Sequence, residues 1–234
     1  MVRSAGGRAV LRGMGHLLGA SPTPRSNRFA NQYQTGFARL EKKARQEHAH
    51  LVLIDESGFF LNPVVRRTWA PRGRTPVLTG FGRHRDKVST IAAISVAPGR
   101  RRLGLYWRTD PASYIDAAAV VGFLRDLLRR LRGRVIVLWD GGSNHKGPAI
   151  RELLRTFPRL HLERLPGYAP DLNPVEMIWA YLKHGRLSNF VPRHVGHLDR
   201  VVVDHLAELR GDPALIRSLW AGSKLPFLDK NPPT

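Results

Sequence analysis

Three acidic residues stand where a short polar turn meets an apolar element: Asp55 after the run LVLI, Asp140 after VIVLW, and Glu176 within LPGYAPDLNPVEMIW. Each aspartate lies where a buried parallel strand should emerge, and in open α/β sheets ligands bind in the space beyond the carboxyl ends of the strands. If the two strands are neighbours, the two carboxylates face each other, and one would be driven to protonate unless a cation lies between them. Magnesium suits such a place. It takes oxygen ligands, needs only one or two carboxylates, and leaves its other positions to water and phosphate.

Simpler readings stand beside this one. Either aspartate alone serves equally as a strand-end turn residue or a helix N-cap. Glu56 is a weaker candidate than Asp55, because successive strand side chains point to opposite faces. Asn173 and Pro174 read as the N-cap and first residue of a helix, which puts Glu176 at the capping-box position. A capping carboxylate and a metal-binding one are compatible, since the rigid turn PGYAPDLNP aims the start of the helix at a neighbour.

The elements that must position these groups are set by periodicity. A charged helix, FARLEKKARQEH (37 to 48), leads into LVLI (51 to 54), a buried strand. VSTIAAISVA (88 to 97) and RRLGLYWR (101 to 108) form a hairpin around Pro98 and Gly99. A helix near 112 to 132 turns Leu124, Leu127, Leu128 and Leu131 inward, with Arg125, Arg129 and Arg132 outward. RVIVLW (134 to 139) is a further buried strand. A helix near 147 to 156, a short strand near 160 to 163, the helix after Asn173, and two more helices near 195 to 209 and 213 to 221 complete the chain. This order predicts an α/β fold, a mixed β-sheet flanked by helices.

The 234 residues, 42% of them hydrophobic, suffice for one main core. The absence of cysteine excludes disulfides and Cys-ligated metals, leaving oxygen and imidazole ligands in a reducing setting. No apolar run approaches the roughly 20 residues of a membrane helix, so a soluble, unexported protein is expected.

With 38 Lys and Arg against 18 Asp and Glu the net charge is +20, which calls for a polyanionic partner. Residues 59 to 108 hold eleven basic side chains and one acid, half of the excess, mostly as arginine, whose planar fork suits phosphate. Arg66, Arg67, Arg72, Arg74, Arg83, Arg85 and Lys87 are the candidate DNA-backbone contacts; a solvated basic face is the plainer reading.

LIDESGF, LWDGGSNH and LPGYAPDLNPVEMIW together resemble the three motif blocks of the DDE transposase superfamily, in the bacterial insertion-sequence branch related to mariner transposases. The third block, Leu165 to Trp179, carries most of the resemblance, and the 35 residues between Asp140 and Glu176 agree with the family's interval. Gly141 departs from the asparagine common there.

The resemblance implies a ribonuclease H-like fold, with Asp55, Asp140 and Glu176 as a triad holding two Mg²⁺ or Mn²⁺ ions, and it matches His145 to a histidine following the second aspartate. A locally satisfied helix-start residue is an equal reading of His145. Trp69 and Tyr168 offer faces for an unpaired base, although the core is the commoner place for such rings.

The implied function is metal-dependent DNA strand cleavage and strand transfer at insertion-sequence ends. The implied partner is double-stranded DNA, bound by a homodimer or larger assembly in a bacterial cytoplasm, near the nucleoid. Alternatives are a DNA-binding remnant that cannot cut and a nuclease that hydrolyses without joining. In this reading residues 1–36 are the remnant of a helix-turn-helix region and a linker, 37–190 the catalytic domain, and 191–234 a helical tail.

Overall fold

In the computed structural model, the described residues are 36–79, 86–99, 102–139, 147–165, 172–223 and 225. Asp140, His145, Arg83, Arg85, Tyr168 and all but the last residue of the expected helix-turn-helix remnant and linker, 1–36, lie outside them.

A helix at 36–46 (α1) leads into strand β1, His50–Phe60. Strands β2, Lys87–Val96, and β3, Leu103–Asp110, form the expected hairpin, closed by the Ala97 amide on the Arg102 carbonyl at 3.0 Å. Helix α2, Ala117–Arg130, is followed by β4, Val135–Trp139, helix α3, Pro148–Thr156, and β5, Leu160–Arg164. Helix α4, Pro174–Tyr181, runs on into a π turn, Leu182–Arg186, and helices α5, Val195–Arg210, and α6, Pro213–Gly222, come after it.

The strands form one mixed sheet in the order β3-β2-β1-β4-β5. β1 and β4 are parallel neighbours, paired from His50↔Val135 to Leu53↔Leu138, whereas β1 and β2 are antiparallel from Leu51↔Val96 to Phe60↔Lys87. Asp55 therefore does not end its strand, as LVLI alone suggested. Parallel pairing stops near Leu53, but β2 supplies hydrogen-bond partners that carry β1 on to Phe60, well past Asp55.

Helix α2 likewise starts later than expected. The Asp110 carboxylate accepts the amides of Ala112 and Ser113 in a side-chain turn, each at 2.9 Å, and Asp116 caps the helix by accepting from Ala119 at 2.8 Å.

Both faces of the sheet are covered. Val52, Ile54, Ile91, Val135 and Val137 pack with Val120, Leu124, Leu127 and Leu128 of α2 and Leu153 of α3. Leu51, Leu53, Ile94 and Leu138 pack on the opposite side with Val175, Ile178 and Trp179 of α4, and with α5 and α6 through Val202, Leu206 and Trp220. The last two helices thus share the core that holds the α4 side of the sheet. Among the described residues, no helix is long and apolar enough to cross a membrane.

Candidate active site

β1 places its odd-numbered side chains on the α4 side of the sheet, so Asp55, Ser57 and Phe59 form one row, with Ile54 and Glu56 on the other face. Glu176, Trp179 and Lys183 recur at helical spacing along α4 and its π turn, forming a facing row. The two rows interlock. Trp179 Nε1 donates to Asp55 Oδ2 at 2.7 Å, Lys183 Nζ donates to Ser57 Oγ at 2.7 Å, and the Phe59 and Trp179 rings meet edge to face at 5.9 Å.

Asn173 sets the registry between the rows. Its Oδ1 accepts the Val175 amide at 3.2 Å as the N-cap of α4, while its Nδ2 donates to the Ile54 carbonyl at 3.0 Å. The start of the helix is thereby tied to the residue before Asp55. Asn173 is buried, so this amide satisfies two backbone groups that water does not reach.

Glu176 lies in the first turn of α4, its amide bonded to the Asn173 carbonyl at 3.0 Å. Asp55 and Glu176 are brought to bear on one cation. Burial lowers the pKa of Lys183 below the ordinary lysine value, and the Glu176 and Asp55 carboxylates, Glu176 more strongly, pull it back up. An ammonium group thus sits in the field of both acids, half-removed from water, with the Phe59 ring 5.6 Å away.

Asp140 directly follows Trp139, the last residue of β4, the parallel neighbour of β1. Among the described residues no group of three His, Asp or Glu side chains is arranged to hold a metal ion.

The basic segment divides in two. Its root is anchored to the π turn and to the loop between that turn and α5. Arg66 Nη1 donates to the His184 carbonyl at 2.8 Å, the Arg66 amide and carbonyl bond the Asn189 side chain at 2.8 and 3.0 Å, and Val64 bridges to Ser188. Arg66 is therefore partly committed to the fold. Beyond it, Arg67, Arg72 and Arg74 stand exposed on an extended arm reaching to residue 79. Trp69, expected more often in a core, is 100% exposed on that arm, where no sheet or helix covers it. Lys87 begins β2 with its ammonium 4.1 Å from the centre of the Tyr114 ring.

Three residues of this site escape a reading of the motifs: Trp179, which reads as an apolar helix position, Ser57, and Lys183. The signal for Lys183 is present in VEMIWAYLK, where it stands on the same helical face as Glu176, seven positions on.

The family model described as DDE superfamily endonuclease matches residues 50–194. The chain belongs to this family. The match spans the DDE endonuclease core from β1 through α4 and the π turn to the residue before α5. No curated protein matches the sequence.

Among solved structures, a pre-cleavage Mos1 transpososome is 22% identical with a TM-score of 0.57, over 91% of this chain and 64% of that one. A mariner Mos1 paired end complex with Mg is 21% identical with a TM-score of 0.57, over 92% and 66%. The catalytic domain of Mos1 mariner transposase is 21% identical with a TM-score of 0.50, over 87% and 90%. The likeness establishes the fold as ribonuclease H-like. This DDE endonuclease chain spans just under two thirds of the longer Mos1 chains, 63% in the strand transfer complex.

Proposed function

We propose that this DDE-family chain carries out divalent-metal-dependent cleavage of DNA strands and transfer of the resulting ends, as the catalytic part of a transposase. One observation carries the reading: the Asn173 bond to the Ile54 carbonyl and the Trp179 bond to the Asp55 carboxylate hold Asp55 on β1 against the helix α4 that carries Glu176 in its first turn.

The donor chemistry fits Mg²⁺ or Mn²⁺. Carboxylate oxygens are the ligands these hard cations take, and both Asp55 and Glu176 favour the charged form of Lys183. Asp55, Glu176 and Asp140 would hold the metal, two ions in the family's pattern. The parallel pairing of His50–Leu53 with Val135–Leu138 makes β4, whose last residue directly precedes Asp140 in the sequence, the neighbour of β1. Bound there, the metal would lower the cost of deprotonating the attacking hydroxyl and of the charge gathering on the departing oxygen.

The rest is the work of the chain. Trp179 fixes the rotamer of Asp55, and Asn173 aims the first turn of α4. Lys183 balances the acids in the absence of metal. Arg67, Arg72 and Arg74 hold phosphates along the exposed arm without reading bases. Attack by water or by a 3'-hydroxyl forms one P–O bond as the bond to the leaving oxygen breaks. The proton passes to solvent, and no covalent enzyme intermediate is required.

Incubation of supercoiled plasmid and labelled duplex with Mg²⁺, Mn²⁺ or chelator tests this. Nicking in either metal, absent with chelator and in Asp55→Asn and Glu176→Gln, is expected, along with joining of a supplied 3'-end. Binding without nicking would make the chain a regulator that occupies DNA. Nicking without joining would make it a nuclease. The Mos1 paired-end complexes motivate assembly of two copies on DNA, which sedimentation with duplex checks.

A further inference from the structure

A second basic site lies at the β3 edge of the sheet, two strands from Asp55. Tyr106, Trp107 and Arg108 of β3, Phe123, Asp126 and Arg130 of α2, and Arg210 at the end of α5 surround a cavity of about 340 Å³. Among the described residues β3 is the edge of the sheet, and the cavity opens beside it. Three arginines converge on it against one acid, and Asp126 is already paired with Arg129 at 2.8 Å.

The cavity is also ordered in advance. The Arg210 guanidinium lies over the Trp107 ring, 4.8 Å from its centre, a cation–π contact that restrains it at the cavity. Arg108 lies over Gly122, where a Cβ would come within 2.8 Å of its terminal nitrogen. The position relates the cavity to the site. Asp55 pairs with Ala92 and Ala92 with Trp107, a single row across three strands, which sets Trp107 about 10 Å from Asp55 by two strand spacings.

We infer that this pocket at the β3 edge binds phosphates of a DNA backbone, as a contact separate from the arginine arm. Arginine forks make paired hydrogen bonds to phosphate oxygens, and three of them around one concave site exceed the needs of a solvated face. The inference rests on the reading that DNA is the substrate. Its consequence is that duplex is gripped at two places, by the arm that follows β1 and by the pocket at the β3 edge.

Anisotropy of a labelled duplex in chelator, over a range of salt, tests it. Each phosphate contact contributes about 0.9 to the slope of log affinity against log salt. Arg108→Gln with Arg130→Gln is expected to make the slope shallower by about 1.8, and Arg210→Gln by about 0.9. The control, Arg125→Gln with Arg151→Gln, removes the same charge from exposed positions outside the pocket and is expected to change the slope by less than half as much.

Arg108 and Arg130 are exposed, and their double variant should melt with the wild type. Equal losses in the two doubles, or no loss in either, would overturn the inference. Nicking in Mg²⁺ is read separately. A protein that shows the pocket effect and does not nick fails the cleavage reading alone, and one that nicks with an unchanged slope in the pocket variant fails this inference alone.

Discussion

The indole nitrogen of Trp179 donates a 2.7 Å hydrogen bond to Oδ2 of Asp55, joining α4 to the middle of β1 at the one described strand acid of the proposed triad. A tryptophan in a buried helix face would fill space equally well as phenylalanine, so the bond separates packing from positioning.

Trp179→Phe is expected to keep the edge-to-face contact with Phe59 and to fold, while metal affinity and nicking drop by about 10- to 100-fold, the usual cost of losing a group that orients a metal ligand. Metal titration by calorimetry, beside a thermal melt, checks it. Wild-type affinity in a well-folded variant would reduce Trp179 to a packing residue.

Asn173→Ala should destabilise the protein by about 2 kcal/mol, roughly half from the lost N-cap and half from the lost bond to the Ile54 carbonyl. Asn173→Asp retains the cap but has no donor for that carbonyl and adds a charge near two acids. It should recover less than the cap's share. Urea melts of the two variants distinguish a helix cap, for which Asp equals Asn, from a tether, for which it does not.

Lys183→Met removes the ammonium group whose charge Glu176 and Asp55 both favour. The metal-free protein is expected to lose about 1 to 3 kcal/mol, the cost of breaking a half-buried charged hydrogen bond. Adding Glu176→Gln should restore part of that by relieving carboxylate repulsion. Mg²⁺ should then raise the midpoint of Lys183→Met more than that of the wild type, since binding to the folded form alone stabilises by about 2.7 kcal/mol at a hundredfold excess over Kd. Equal metal gains in the two proteins would place Lys183 outside the field of the metal.

His50, at the start of β1, has its pKa lowered first by burial, and its Nδ1 is buried without a partner among the described residues. The folded state therefore binds this proton less readily than the unfolded chain, whose histidine titrates near about 6.5. The stabilising contribution is present above that pH and is lost as the pH falls through the folded value. Stability measured from pH 8 to pH 5 should decline less steeply in His50→Leu than in the wild type, and identical slopes would refute the assignment.

Much of the fold is legible because its strands are short apolar runs of unmistakable period. VIVLW and the VSTIAAISVA hairpin bound themselves, and Asn173-Pro174 announces the start of α4. The extension of β1 to Phe60 is not legible, because DESGF is polar and gains its strand conformation from pairing with β2, a neighbour about 35 residues away in the chain. Asp55 and Glu176 stand out by motif and spacing. Trp179, Ser57 and Lys183 do not, since a tryptophan among aliphatics reads as packing until the strand opposite is known. Trp69 misleads for the converse reason: its type favours burial, but its segment has no partner element to bury it.

The π turn at Leu182–Arg186 serves three parts of the molecule within five residues. Lys183 reaches Ser57, the His184 carbonyl receives Arg66 at the root of the arm, and Arg186 pairs with Glu208 of α5. Single π turns of this kind are rare and recur at functional sites. The turn therefore works as a junction: the root of the arm is bonded to the backbone one residue from the ammonium group that Asp55 and Glu176 act on, and α5 is joined to the same turn through Arg186.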